Sequence, residues 1–166
     1  MGFKSQGIKL TNAVIISQFE NQEDRFAMQG LFADIFQQQH IKTLPVMNIL
    51  KEGEDLKNLM SDSIQKIINQ KGFDTYFVVN VRGYDRTFKP SLDAQTFSEL
   101  IETTSIYKIY RDEATSVSFE FSVYKEDVLV SRQVLRCGNV SDRDSVLKRL
   151  RKRFLKKVMP SYLVVS

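Results

Sequence analysis

The 166-residue chain predicts a single domain, 1–166, with an α/β fold of the mixed, α+β kind, in which helices pack on a mixed sheet. The run 76–81 (YFVVNV) is almost entirely β-branched or aromatic, which is typical of a strand buried on both faces near the middle of a sheet. Before this run strand and helix patterns alternate, and after it come strands and one last helix. The expected order is therefore β-α-β-α-β, an antiparallel meander and a C-terminal helix, and right-handed crossovers would make the first three strands parallel.

The first strand and helix are predicted from an apolar run and a helical stripe. Residues 12–17 form a short apolar strand. Asn21 is a plausible N-cap, and acidic residues follow it in the first turn, where the helix dipole favours them. The helix is expected to end near His40, and its apolar face has the spacing i, i+3, i+4, i+7, i+8: Met28, Leu31, Phe32, Ile35 and Phe36.

A second strand–helix unit follows. Residues 43–50 predict a strand with Pro45 near its start, because proline cannot donate a hydrogen bond within a sheet. Residues 54–70 predict the second helix, and Gly72 is a natural residue to follow its end. The inward stripe of this helix is Leu56, Met60, Ile64, Ile67 and Ile68.

The second half of the chain changes to a two-residue period. Residues 87–102 predict a loop with one helical turn near 97–101, and 106–110 predict a strand. In 116–123 apolar residues alternate with Ser and Glu, which predicts a half-buried strand with its polar face in solvent. Residues 128–137 are expected to pair back onto it through a hairpin turn at 125–127.

The last helix carries the densest charge in the chain. Ser141 and Asp144 resemble a capping box at its start, and Pro160 marks its end. Its expected inward face is Leu147, Leu150, Phe154 and Val158. Within 148–157 seven of ten residues are basic: Lys148, Arg149, Arg151, Lys152, Arg153, Lys156 and Lys157. Without them 17 basic residues stand against 20 acidic ones, so the net charge of +4 depends on this segment.

Two interpretations of this basic segment remain open. It can be a cationic surface for the phosphates of nucleic acid or of anionic lipid, which makes those seven residues candidate anion- or partner-binding residues. It can equally be a solvated helix face whose cations offset the helix dipole. No nearby aromatic residue is free to stack on bases, since Phe154 belongs to the apolar stripe.

A weaker candidate anion site follows the central strand. Arg82 and Arg86 flank Gly83 where that strand ends, and ligands of open α/β sheets tend to bind at the carboxyl ends of parallel strands. The alternative is a strand that twists into a charged loop.

The residues that most often carry catalysis are scarce here. His40 is the only histidine and Cys137 the only cysteine, and neither has a partner at a diagnostic spacing. We therefore interpret His40 as a helix-end residue and Cys137 as a structural thiol. No phosphate-binding glycine motif occurs, so we expect no enzyme activity, no cofactor and no metal site.

Targeting features are equally sparse. A single cysteine provides no disulfide framework, no apolar run is long enough to span a membrane, and the first residues lack the apolar segment of a signal peptide. The expected location is the cell envelope or periplasm if a leader is removed from the native protein, and the cytoplasm otherwise.

The order of elements resembles a group of bacterial envelope domains. Three stretches carry the resemblance: the opening strand 13–16 (AVII), the line 74–81 (DTYFVVNV) and the late hairpin 119–131 (FEFSVYKEDVLVS). The group includes the lipoproteins that activate penicillin-binding proteins, the curli-secretion lipoprotein and the amino-terminal domain of the Tol propeller protein. The chain departs from it in lacking a lipobox cysteine and in its basic last helix.

Three functional hypotheses follow, one of which is an enzyme or a small-ligand binder at the strand end 82–86. The resemblance implies a non-catalytic, lipoprotein-like domain of the bacterial cell envelope that binds a protein or another envelope partner. The basic helix instead favours a cytosolic module that binds nucleic acid or an anionic surface through 148–157.

Overall fold

The protein is represented by a computed structural model that describes residues 7–19, 21–50, 55–84, 97, 116–138, 140 and 142–164. The strands are β1 (Asn12–Gln18), β2 (Lys42–Pro45), β3 (Thr75–Tyr84), β4 (Ser116–Lys125) and β5 (Val128–Gly138). The α-helices are α1 (Gln22–Gln38), α2 (Asp62–Gln70) and α3 (Arg143–Lys157), and short 3-10 helices span Val46–Asn48, Leu56–Met60 and Met159–Tyr162. The predicted fold class and element order are confirmed.

The described strands form one mixed sheet in the order β2-β1-β3-β4-β5. β1 pairs in parallel with both β2 and β3, as the right-handed crossovers predicted. β3, β4 and β5 pair antiparallel, and the hairpin between β4 and β5 turns at Glu126, whose φ of 58° is left-handed. β3 therefore lies at the centre of the described sheet, and its residues 76–81 are buried on both faces, as predicted.

One face of the sheet packs against α1 and α3. The alternation of β1, β3 and β4 puts Ile15, Phe77 and Phe121 on this face, in the same core as Phe32 of α1 and Phe154 of α3. Phe32 lies 5.0 Å from Phe77 and 4.9 Å from Phe154, centroid to centroid, at inclined angles. Aromatic pairs of this geometry contribute about 0.5–1.5 kcal/mol each beyond their buried area. This cluster holds α3 against the sheet.

The other face is apolar at one end and polar at the other. The apolar end contains Val78 and Tyr76, which stacks on Phe97 at 4.2 Å. Toward the polar end, residues of β4 that were predicted to face solvent are buried: Ser116, Ser118, Glu120 and Ser122. The prediction of a half-buried β4 was therefore wrong. Its alternating polar residues lie in the interior, where Glu120 has two arginine partners.

Several element boundaries also differ from those predicted. β2 ends at Pro45, which was expected near its start, because the chain there enters the 3-10 turn Val46–Asn48. The predicted second helix is divided at Ser61, whose extended backbone separates Leu56–Met60 from α2 and whose hydroxyl accepts from the Ile64 N–H. Gly72 has a φ of +85°, which suits its place after α2.

The N-cap of the last helix was predicted one residue too early. Asp142 caps α3 and forms the capping box with Ser145, in place of the expected pair with Asp144, and Ser141 lies outside the described residues. Asn21 does cap α1 as predicted, since its side chain accepts from the Asp24 N–H at 3.1 Å. The strand predicted at 106–110 lies outside the described residues, as does 87–102 except Phe97.

Candidate functional site

The basic helix α3 is the element on which the candidate functional residues converge. Its capping box satisfies backbone donors at the N-terminus: the Ser145 N–H donates to the Asp142 carboxylate at 2.8 Å, and the Asp142 N–H donates to the Ser145 hydroxyl at 3.1 Å. Val146, Leu150 and Phe154 are buried against the sheet, at the spacing of one helix face. Of the predicted inward residues, Val158 is also buried, whereas Leu147 is half-buried. This fixed inner face determines where the cationic side chains lie.

One flank of α3 binds the acidic residues of α1. Arg143 contacts Asp24 at 2.8 Å and Glu23 at 3.1 Å, and the Asp24 side chain is only 3% exposed. About two turns further along α3, Arg151 contacts Asp34 at 2.6 Å. Arg151 was predicted as a candidate partner-binding residue, and in the structure its charge is directed at α1. This flank joins the two helices that cover the sheet.

The opposite flank of α3 faces the end of β5. Here Arg149 and Arg153, which are four residues apart and so share a helix face, line a cleft with Arg136 and Gly138 of β5. The cleft has a volume of about 440 Å³. Among the described residues none of the three arginines has an acidic partner within ion-pair distance. We refer to Arg136, Arg149, Arg153 and Gly138 as the arginine cleft.

The outer surface of α3 carries the lysines. Lys148, Lys152 and Lys156 are exposed at a four-residue spacing, and Lys157 is exposed at the end of the helix. The seven basic residues predicted as candidates therefore fall into three sets: Arg151 directed at α1, Arg149 and Arg153 in the arginine cleft, and four lysines in solvent. Sequence density alone did not distinguish them.

Cys137 lies on β5 between Arg136 and Gly138. Its side chain is buried in the core between β5 and α3. Burial raises the pKa of the thiol to about 11, although the positive charges of Arg153 and Arg149 counter part of that rise. Since the thiolate is the nucleophilic form, this environment suits the predicted structural thiol.

His40 lies where the sequence placed it, just past the end of α1. Its φ of 59° is left-handed, and its N–H donates to the Gln37 carbonyl at 3.0 Å, closing the last turn. The side chain is exposed. The position agrees with the interpretation of His40 as a helix-end residue.

The second predicted anion site contains a buried ion cluster that the sequence did not reveal. Glu120 of β4 is 2% exposed, and its carboxylate lies 3.3 Å from Arg82 of β3 and 3.6 Å from Arg132 of β5. Burial raises the pKa of Glu120, and the two guanidinium groups lower it in part. Beside this cluster Asn80 donates to Gln18 at 3.1 Å. The Arg82 charge thus contacts an internal carboxylate, and its predicted companion Arg86 lies outside the described residues.

The burial of Glu120 was not predicted, because polar and apolar residues alternate along β4 as they do in a strand with one face in solvent. The charges on neighbouring strands, one acid on β4 and arginines on β3 and β5, are a signal that could have indicated a buried ion cluster. To use that signal one must know the register of the strands, in which Asn80 lies opposite Glu120 and Glu120 lies opposite Val134. The register was not available from the sequence.

The described residues include neither a metal-binding cluster nor a membrane-spanning helix. Within them no group of three or more His, Cys, Asp or Glu side chains is placed to hold a metal ion. No helix in this part of the chain is long and apolar enough to cross a membrane.

The chain was compared with known families and structures. No protein-family model and no curated protein matches it. Among solved structures it is similar to lipoprotein GNA1162 from Neisseria meningitidis, with 11% identity and a TM-score of 0.47 over 90% of this chain and 95% of that one. It is also similar to the PelC dodecamer from Paraburkholderia phytofirmans, with 9% identity and a TM-score of 0.47 over 99% and 95% of the two chains. These values indicate a weak resemblance at the level of the fold.

Proposed function

We propose that this chain is a non-catalytic binding domain of the bacterial cell envelope, whose partner is a protein or another envelope component. The observation that carries the proposal is the order of elements. The confirmed succession of β1, α1, β2, α2 and β3, followed by the antiparallel strands and α3, is the order on which the resemblance to envelope lipoprotein domains depends. The same proposal treats 1–166 as one domain.

The roles of the reactive side chains support binding in preference to catalysis. Cys137 has a raised pKa and is enclosed in the core, so little nucleophilic thiolate forms near neutral pH. Glu120, a buried carboxylate in the middle of β4, contacts two arginines. Both groups act in the packing of the sheet.

The test of the envelope proposal is the intact mass and cellular fraction of the native protein in its source organism. The proposal predicts a processed, lipid-modified protein in the membrane fraction. An unmodified chain in the soluble cytoplasmic fraction would contradict the proposal and would favour the second candidate function.

The second candidate function is binding of nucleic acid or an anionic membrane surface by the outer face of α3. The specific observation in its favour is the row of exposed lysines, Lys148, Lys152 and Lys156, which have no acidic partner among the described residues. Replacing these three with Glu is expected to abolish salt-sensitive binding to DNA, RNA or anionic vesicles while the fold is retained. A wild-type protein that binds none of them at low ionic strength would exclude this function.

A further inference from the structure

We infer that the arginine cleft is a binding site for a phosphate group, carried by a small phosphorylated ligand or by a lipid headgroup. This inference is independent of the envelope proposal. It differs from the second candidate in assigning binding to Arg136, Arg149 and Arg153 in place of the exposed lysines.

The first argument is the uncompensated charge. Arg149 and Arg153 are four residues apart on one helix, and like charges at this spacing destabilise a helix. Arg136 adds a third positive charge at the same cleft. On the other flank of α3, by contrast, both Arg143 and Arg151 contact acidic residues of α1. Among the described residues, only the α1 side of the helix supplies counter-charges.

The second argument is an unsatisfied donor. The Nε of Arg153 is buried and makes no hydrogen bond with any described residue. Burying such a donor without an acceptor is unfavourable, more so when the group is charged. An anion that enters the cleft and reorients the Arg153 side chain would supply the missing acceptor.

The third argument concerns the chemistry of the ligand. Guanidinium groups present their donors in a planar fork that matches the oxygens of phosphate, and charge-assisted bonds of this kind are short and strong. The two guanidinium groups of Arg149 and Arg153 match a dianionic phosphate better than a singly charged carboxylate. A cleft of about 440 Å³ also has room for the organic group that carries the phosphate.

The primary experiment is a calorimetric titration of inorganic phosphate into the full chain at low ionic strength. We compare wild type with Arg149→Gln, Arg153→Gln and the control Lys66→Gln, which removes one positive charge from the exposed surface of α2. Each arginine variant is expected to bind phosphate about tenfold more weakly, while the lysine control changes affinity by less than about twofold. Equal losses in all three variants, or no binding by wild type to phosphate or to the vesicles described next, would overturn the inference.

A second arm distinguishes the source of the phosphate group. Co-sedimentation is measured with vesicles of phosphatidylcholine, with and without phosphatidylglycerol. Binding only to the phosphatidylglycerol vesicles that is lost in Arg149→Gln and Arg153→Gln assigns the site to a lipid headgroup. Phosphate binding without vesicle binding assigns it to a small soluble ligand. Vesicle binding that survives both arginine variants would contradict the cleft as the site.

Two further readouts keep loss of fold separate from loss of binding. Because each substitution relieves like-charge repulsion, the unliganded arginine variants are expected to melt at or above the wild-type temperature at low salt. Phosphate affinity should also fall as the pH drops through about 6, where the second phosphate proton is bound, since arginine does not titrate there. Affinity that is independent of pH across this range would argue against recognition of the dianion.

Discussion

Removal of Arg132 tests the buried ion cluster on the polar half of the sheet. In Arg132→Met the Glu120 carboxylate, 2% exposed, loses the guanidinium at 3.6 Å and keeps, among the described residues, the ion pair with Arg82 at 3.3 Å. The Arg132 side chain is itself 4% exposed, so methionine fills a site that is already enclosed. The variant is expected to be folded and substantially less stable near neutral pH.

The magnitude follows from the cost of leaving a buried charge under-compensated. Breaking a buried ion pair by removal of one partner typically costs about 3–5 kcal/mol, and we expect the lower end because Arg82 remains. For a chain of this size a loss of about 3 kcal/mol lowers the melting temperature by roughly 10 °C.

The pH dependence has a definite sign. Burial already raises the Glu120 pKa, and removal of Arg132 takes away one of the two charges that lower it. Because the folded-state pKa of Glu120 lies above its unfolded-state pKa, ionisation of this carboxyl lowers the stability of the folded protein. This loss of stability is absent below the unfolded-state pKa and develops as the pH rises through the folded-state pKa. The loss of stability should therefore be greatest near neutral pH and shrink on acidification toward pH 4.5, the usual value for this carboxyl.

The assay is urea unfolding of wild type, Arg132→Met and the double variant Arg132→Met with Glu120→Gln. The double variant should recover most of the stability, because its remaining charge, on Arg82, is 27% exposed and reaches water. A loss that is the same at neutral and acidic pH, and that the double variant does not recover, would refute the ion-cluster argument and leave a packing effect in its place.

Three further predictions concern α3 and the core beneath it. Asp142→Ala, which removes the capping box with Ser145, should lower the free energy of unfolding by about 1 kcal/mol, measured by urea unfolding, and no change would exclude the cap. Phe154→Ala should cost about 3–5 kcal/mol in the same assay, because it leaves a cavity in the aromatic cluster; a cost near zero would mean that α3 does not pack as described. Cys137 should react with a thiol reagent only as fast as the protein opens, at a rate that is high in denaturant, whereas rapid labelling of the native protein near pH 8 would contradict its burial and its raised pKa.

Elements whose patterns reflect local physics were predicted well. The continuous β-branched and aromatic run of β3 has no polar face to expose to solvent, so burial on both faces was predicted. In the structure β3 lies at the centre of the described sheet. The 3.6-residue stripe of α1 and its Asn21 cap were recognised because spacing and capping chemistry are properties of a few adjacent residues.

Predictions failed where the outcome depends on what packs from elsewhere in the chain. The Ser and Glu residues of β4 alternate as a solvent-facing strand would, and only the arginines of adjacent strands make burial of Glu120 tolerable. The sequence showed the basic run of α3, but it did not show which of its side chains face α1, the arginine cleft or solvent. Which arginines meet acids depends on α1, more than a hundred residues away, and Arg136 joins Arg149 and Arg153 only through the docking of α3 beside β5.

The measurement that tests the central structural claim most directly is a phosphate titration of a matched pair, Arg149→Gln and Arg151→Gln. Both variants remove one guanidinium from the same helix, one from the arginine cleft and one from the contact with Asp34. If α3 has a ligand-binding flank and a structural flank, Arg149→Gln should weaken phosphate binding about tenfold, and Arg151→Gln should leave it nearly unchanged. Equal phosphate affinity of the two variants would contradict that division.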